Sequence, residues 1–301
     1  MWIISSKNNL SKGRKGKMKN KKRHRSEPPE NEWADIEESM KDLMNIDNPT
    51  IITIYGKPGT GKTTFGGTLP KPLLILDVKD KGTDSAKRRN TQRGEVTVMS
   101  INSFDDIMRV YDYIKAHKTK FKSVLIDHMT ALQDKALEKI KDEEGKDLVS
   151  QRMFGMAAGL LKEVISLYKD LTDWGILPCF ICQDRMESGE GEGEDQLIPE
   201  VGPGMMPSVA RTLCAASRII GHAYLQERKE QGEGGKIKHQ IEYRLRLGPN
   251  PFYITKVTRP VGTPCPAYLV NPTYPDLEKV ITGQWIDKVK KKGHKTRKKG
   301  S

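Results

Sequence analysis

Ile51-Ile-Thr-Ile-Tyr55-Gly56-Lys57-Pro58-Gly59-Thr60-Gly61-Lys62-Thr63-Thr64 decides how the rest of the sequence is read. Strand-forming residues run into a glycine-rich turn that ends in Gly-Lys-Thr. The spacing Gly56-x-x-x-x-Gly61-Lys62-Thr63 is the phosphate-binding P-loop pattern, here between an expected strand and an expected helix. Glycines let successive backbone N–H groups curl around an anion without Cβ clashes. The helix that follows turns its positive end toward the same anion. Lys62 is placed to neutralise the β- and γ-phosphates of ATP, and the Thr63 hydroxyl to ligate Mg²⁺. Lys57, Pro58, Gly59, Thr60 and Thr64 complete the expected nucleotide-binding loop.

Working outward, Leu73-Leu-Ile-Leu-Asp77 and Val124-Leu-Ile-Asp127 are short apolar runs closed by an acid, as buried parallel strands read. Val96–Ser100 and Ile176–Cys182 are further expected strands. Between them lie amphipathic stretches. Ser103 opens one through a capping signal with Asp106, and 148–172 carries Met156, Leu160, Leu161, Val164, Ile165 and Tyr168 on one stripe. Alternation of strand and helix predicts an α/β fold, a mostly parallel sheet flanked by helices, with ligands at the carboxyl ends of the strands. Gly56, Asp77, Asp127 and Gln183 all fall there. Asp127 suits the second Mg²⁺-holding acid, and Gln183 is a candidate for orienting the γ-phosphate, because an amide both donates and accepts. Asp77, Asp80 and Asp84 are acids near the same edge that spacing alone does not rank.

Beyond 184 the pattern changes. Residues 184–204 are Gly- and Glu-rich, an expected mobile loop. Arg218–Gln226 and Ile237–Leu247 alternate as an antiparallel pair, Phe252–Val257 reads as a last strand, and a short helix is expected near Asp276–Ile281. Lys256 and Arg259 follow, candidates for reaching a phosphate on a neighbouring subunit. The expected domains are a basic tail over 1–30, an ATPase core over 31–260 opening on a short helix at 31–45, an extension over 261–283 and a basic tail over 284–301.

The net charge of +13 sits in those tails: +10 falls in residues 1–26 and +7 in 284–301, leaving −4 between them. Basic tails of this kind point to nucleic acid, with a solubilising tail or a targeting signal as the alternatives that composition alone does not separate. The cysteines at 179, 182, 214 and 265 carry no second metal-ligand pair, and the first two lie three apart on an expected strand, so they read as buried thiols. No apolar run approaches bilayer length, and Met1-Trp-Ile-Ile is too short for a signal-peptide core. A cytoplasmic protein without membrane contact is expected.

The order of P-loop, Leu76-Asp77, Val124-Leu-Ile-Asp127-His-Met-Thr-Ala-Leu132 and Cys179-Phe-Ile-Cys-Gln183-Asp-Arg185-Met186 resembles the RecA-like recombinase core. Tyr55–Thr64 followed by Leu69-Pro-Lys-Pro-Leu-Leu-Ile-Leu-Asp77 is similar to the AAA-type phage nucleotide-binding proteins, which include the Sak-type single-strand annealing ATPases. The resemblance spans residues 50–260. It implies a DNA-dependent ATPase that binds single-stranded DNA, assembles into a ring or filament, and anneals or exchanges strands. A single-strand-binding protein is a further partner on this reading. It also implies that Gln183 couples the γ-phosphate to a DNA-binding loop, and that Lys256 and Arg259 act across a subunit interface. Two departures stand out. The recombinases carry a catalytic Glu two residues after the position of Asp77, where this chain has Lys79, with Asp80 next to it. The stretch after Gln183 is acidic and lacks aromatics, which suits neither phosphate nor base contact. Two other classes therefore stay open: a nucleotide-gated binding protein with little turnover, and another P-loop motor such as a helicase or packaging ATPase.

Overall fold

The computed structural model describes residues 38, 40, 50–78, 82–87, 92–145, 148–187, 199–231 and 237–286. The chain divides into two units, Met1–Asp47 and Asn48–Ser301. Almost all of the first lies outside the described residues, as do the basic tails apart from 284–286, the expected helix at 31–45 apart from 38 and 40, Lys79, Asp80 and the acidic segment 188–198. The fold below is that of the second unit.

In chain order the strands are β1 (Ile52–Tyr55), β2 (Leu73–Asp77), β3 (Val96–Ser100), β4 (Ser123–Asp127), β5 (Leu177–Cys182), β6 (Asp184–Glu187), β7 (Glu200–Pro203), β8 (Ile219–Gln231), β9 (Ile237–Arg246), β10 (Lys256–Val257) and β11 (Tyr268–Val270). The helices are α1 (Lys62–Gly66), α2 (Phe104–Ala116), α3 (Met129–Glu144), α4 (Gln151–Asp170), α5 (Pro207–Ala216) and α6 (Tyr274–Ile281). One sheet runs in the order β11-β9-β8-β1-β5-β4-β2-β3, with β10 also on β8. From β8 to β3 every pairing is parallel, and β9, β10 and β11 add antiparallel partners at the other side. The α/β class and the antiparallel C-terminal strands are as the sequence predicts.

Alternate residues of the central strands feed two separate cores. Tyr55, Leu74, Leu76, Val124, Ile126, Phe180 and Cys182 face one layer, formed by α2, α3, α4 and α5. Ile52, Ile54, Leu73, Ile75, Leu125, Cys179 and Ile181 face the other, with Phe65 of α1 and Leu277, Val280 and Ile281 of α6. A strand covered on both faces reads as a continuous apolar run, which is what β1, β2 and β5 show. The same period of two sends Cys179 and Cys182 to opposite faces. Both thiols are free and fully buried, and burial pushes their pKa far above the ordinary value.

Helix starts follow local chemistry. The Asp106 carboxylate accepts from the N–H groups of Asn102 and Ser103 at the head of α2, 3.0 and 2.9 Å away. Those bonds hold its carboxyl below the ordinary value. The Tyr168 hydroxyl of α4 donates 2.9 Å to the Ile107 carbonyl, fastening α4 to α2 inside the core.

Several expectations need correction. Residues 184–204 are not loop throughout, because β6 and β7 pair antiparallel on either side of the segment left outside. Their sequences lack the β-branched alternation that signals a strand, and the pairing leans on Tyr55, whose hydroxyl donates to the carbonyls of Val201 and Ile254, 2.9 Å each. The strand expected over Phe252–Val257 shrinks to β10, since the Asn250 side chain captures the N–H groups of Phe252 and Tyr253 in a turn. β8 runs five residues past its expected end, and helix α3 and strand β11 were not anticipated.

Candidate active site

β1 delivers the chain at Tyr55 into the glycine loop. Gly56 has φ 152°, and a Cβ there would lie 2.2 Å from the Ala223 carbonyl oxygen of β8. Gly61, at the head of α1, has φ 85°. Neither position accepts a side chain without strain. Within the loop, Thr60 Oγ1 donates 2.7 Å to the Lys57 carbonyl. The Lys62 ammonium is buried and donates to the carbonyls of Gly56 and Lys57, at 2.7 and 2.8 Å. Gly59, Lys57, Pro58 and Thr64 are exposed at the rim.

Thr63 Oγ1 donates 2.6 Å to Asp127 Oδ2, which joins the head of α1 to the end of β4. Burial is the main influence on the Asp127 carboxyl and raises its pKa; the Thr63 bond, His128 and Lys62 oppose the rise, while Asp77 adds to it. Asp77 is the register partner of Asp127 across β2 and β4 and is itself buried. The bond from Asp127 to His128 is a cis peptide, and His128 Nδ1 caps α3 by accepting from the Ala131 N–H at 3.0 Å.

Gln183 stands one strand over, between β5 and β6. Its N–H donates 3.1 Å to Thr130 Oγ1, and its carbonyl accepts from the Gly204 N–H at 2.7 Å. The residue thus ties the start of α3 to the end of the β6–β7 hairpin. Gly56, Lys62, Thr63, Asp77, Asp127 and Gln183 come together at one edge of the parallel sheet.

Other predicted residues lie elsewhere. Asp80 is outside the described residues, and Asp84 is exposed and paired with Lys87. Lys256 and Arg259 sit at the opposite edge, because β10 pairs with Ile219 and Ile220, which pair in turn with Ile52 and Thr53 at the start of β1. Lys256 Nζ bonds the Cys214 and Ala215 carbonyls at the end of α5, 3.3 and 3.4 Å away, and Arg259 Nε bonds the Thr263 carbonyl at 3.0 Å. Neither reaches the P-loop of its own chain.

Sequence reasoning missed a cleft of about 640 Å³ beside the loop, lined by Lys57, Pro58, Asp184, His222, Tyr224 and Tyr253 among others. His222 is buried and stacks on Tyr253 with ring centroids 4.2 Å apart. Its Nδ1, like Arg246 Nε, is buried with no hydrogen-bond partner among the described residues. Burial, and then the Arg246 guanidinium, push its pKa down to about 4. The only sequence signal was a histidine alternating with Tyr224 on a strand.

The donors fit a hard divalent cation. Thr63 and Asp127 each offer an oxygen, 2.6 Å apart. That matches Mg²⁺ held by one or two protein oxygens together with phosphates.

Among solved structures, a KaiC-like protein from the hyperthermophilic archaeon Pyrococcus horikoshii OT3 aligns at 14% identity and a TM-score of 0.37, over 74% of this chain and 89% of that one. A search of curated proteins gave no match. Among the described residues no helix is long and apolar enough to cross a membrane. A family profile described as an AAA domain, AAA_24, matches residues 48–246, from just ahead of β1 to the end of β9. With its P-loop, strand-end acids and central parallel strands all inside that match, the chain belongs to the AAA_24 family of AAA domains.

Proposed function

We propose that the protein is a RecA-like ATPase that binds single-stranded DNA, as a homo-oligomeric ring or filament, in phage recombination, annealing or replication in the host cytoplasm. The observation that carries this reading is the position of Gln183, whose backbone links the Asp127–α3 junction to the β6–β7 hairpin. A residue so placed passes a change at the phosphates to the segment the hairpin carries.

On this reading the Lys62 ammonium exchanges its two loop carbonyls for β- and γ-phosphate oxygens. Thr63 and Asp127 would hold Mg²⁺, which when bound would supply neutralisation of charge on the transferred phosphoryl group. The Gln183 amide orients the attacking water. Asp80, or the buried Asp77 beside Asp127, takes its proton. Lys256 and Arg259, far from their own P-loop, serve a neighbour's site, and the basic tails supply DNA contacts and a docking point for a single-strand-binding protein.

The test is ATP hydrolysis by wild type and Lys62→Ala, with and without single-stranded DNA. Stimulation by DNA that the variant lacks supports the reading. Tight ATP binding with no turnover in either condition overturns it. That result would favour a nucleotide-gated binding protein, which Lys79 at the position of the recombinase glutamate already suggests.

A further inference from the structure

A second cleft, of about 140 Å³, opens beside α1 between the β9 strand and the turn that follows β11. Its lining includes Gly61, Thr64, Phe65, Tyr243, Asn271 and Pro272. We propose that this cleft holds the nucleobase of the bound nucleotide, stacked on Tyr243 and read by the Asn271 amide, and that the base is adenine. The proposal deepens the nucleotide-binding reading above and rests on it.

Position comes first. In a P-loop the backbone N–H groups cradle the α- and β-phosphates, and the lysine reaches the β- and γ-phosphates. Lys62, Thr63 and Asp127 therefore mark the terminal-phosphate end. The small cleft shares Gly61 and Thr64 with the loop and helix but includes none of those three residues. The larger cleft also lacks those three but adjoins Lys57 and Pro58 at the start of the loop; on the proposal the base leaves past Gly61 and Thr64, at the head of α1.

Shape comes next. The Tyr243 ring lies 3.0 Å from where a Gly61 Cβ would stand, yet the residue is 44% exposed. One part of the ring rests on the loop and the rest is open for stacking. Phe65 is buried beneath. The volume suits one planar heteroaromatic ring system.

The opposite wall is fixed at both ends. The Asn271 N–H donates 2.7 Å to the Tyr243 carbonyl, and the Tyr274 N–H donates 2.6 Å to Thr68 Oγ1 just past α1. Asn271 has φ 46°, the one positive φ of a non-glycine among the described residues. Asn takes this left-handed backbone readily, so the turn holds Asn271 in place at little cost. Pro272 follows as a rigid apolar wall. An Asn side chain pairs in two places with the N6 and N7 edge of adenine, whereas the corresponding O6 and N7 edge of guanine presents two acceptors and leaves the Asn oxygen unmatched.

The experiment is calorimetric titration of the full chain, with Mg²⁺ present, by ATP, GTP and inorganic tripolyphosphate. Wild type should prefer ATP over GTP by about tenfold. Tyr243→Ala should weaken ATP about tenfold while leaving tripolyphosphate unchanged, and Tyr243→Phe should retain affinity. Asn271→Gly keeps the left-handed backbone and should bring ATP down toward GTP. The proposal is overturned if Tyr243→Ala leaves ATP affinity intact, or weakens tripolyphosphate equally. It is also overturned if Tyr224→Ala, in the larger cleft, takes the loss instead. Lys62→Ala reports separately on the P-loop: if it leaves both ATP and tripolyphosphate binding unchanged, the nucleotide reading itself fails.

Discussion

Asp127 is buried with a raised pKa, so its ionised form costs the folded protein stability at neutral pH, and that cost is relieved as pH falls through the raised value. Asp127→Asn keeps an oxygen to accept from Thr63 and removes the charge. Its melting temperature at neutral pH should equal or exceed that of wild type, while its ATP affinity should no longer respond to chelation of Mg²⁺. His222 titrates with the opposite consequence. Its pKa is about 4 in the folded protein against 6.5 for an ordinary histidine, so below 6.5 the unfolded chain takes up a proton that the folded one refuses. Stability should fall between those values by up to about 1.4 kcal/mol per pH unit. Denaturant melts of His222→Phe should be flatter over the upper part of that window, above the range where carboxylates begin to protonate. The loop and Asp127 were legible because each is local, a contiguous motif and an acid ending an apolar run. His222, Tyr243 and Asn271 were not, because their neighbours arrive from far along the chain.

Among elements, the contact between the glycine loop and β8 is the tightest near the site. Gly56→Ala would set a Cβ 2.2 Å from the Ala223 carbonyl oxygen at an unfavourable φ. The expected cost is about 3 kcal/mol, read as a loss in chemical-denaturation stability, with Gly59→Ala, which meets nothing within 4 Å, as the milder comparison. The buried parallel strands could be read from sequence because burial on both faces leaves no polar alternation. Helix α3 escaped because its buried residues Ala131, Leu132, Ala136 and Ile140 are sparse and partly small, among many charges. The β6–β7 hairpin escaped because its order comes from Tyr55 and Gly204 bonding, not from strand propensity.

At the scale of the molecule, the two predicted groups of charged residues occupy opposite edges of one sheet. If Arg259 serves a neighbour, Lys62→Ala and Arg259→Ala should each be inactive alone. Mixed in equal amounts, they should regain activity, since roughly a quarter of head-to-tail interfaces then pair an intact loop with an intact arginine. A mixture no more active than its parts would confine Arg259 to its turn with Thr263. Chain-wide composition foretold the basic tails and the mildly acidic middle, but no periodicity could tell which edge β10 would join.

The β8–β9 pairing continues from His222 and Arg246 out to Gln231 and Ile237, whereas β1 stops opposite His222 and β11 reaches only Arg244. Past Tyr224 and Arg244, among the described residues, the ribbon is two strands alone for roughly 20 Å, at about 3.3 Å per residue. A pair without a third strand opens easily, so amide hydrogens should exchange fastest at its tip and progressively slower toward the sheet. Tyr243 lies at the boundary. A nucleotide that grips its ring would slow exchange at amides farther out that it never touches.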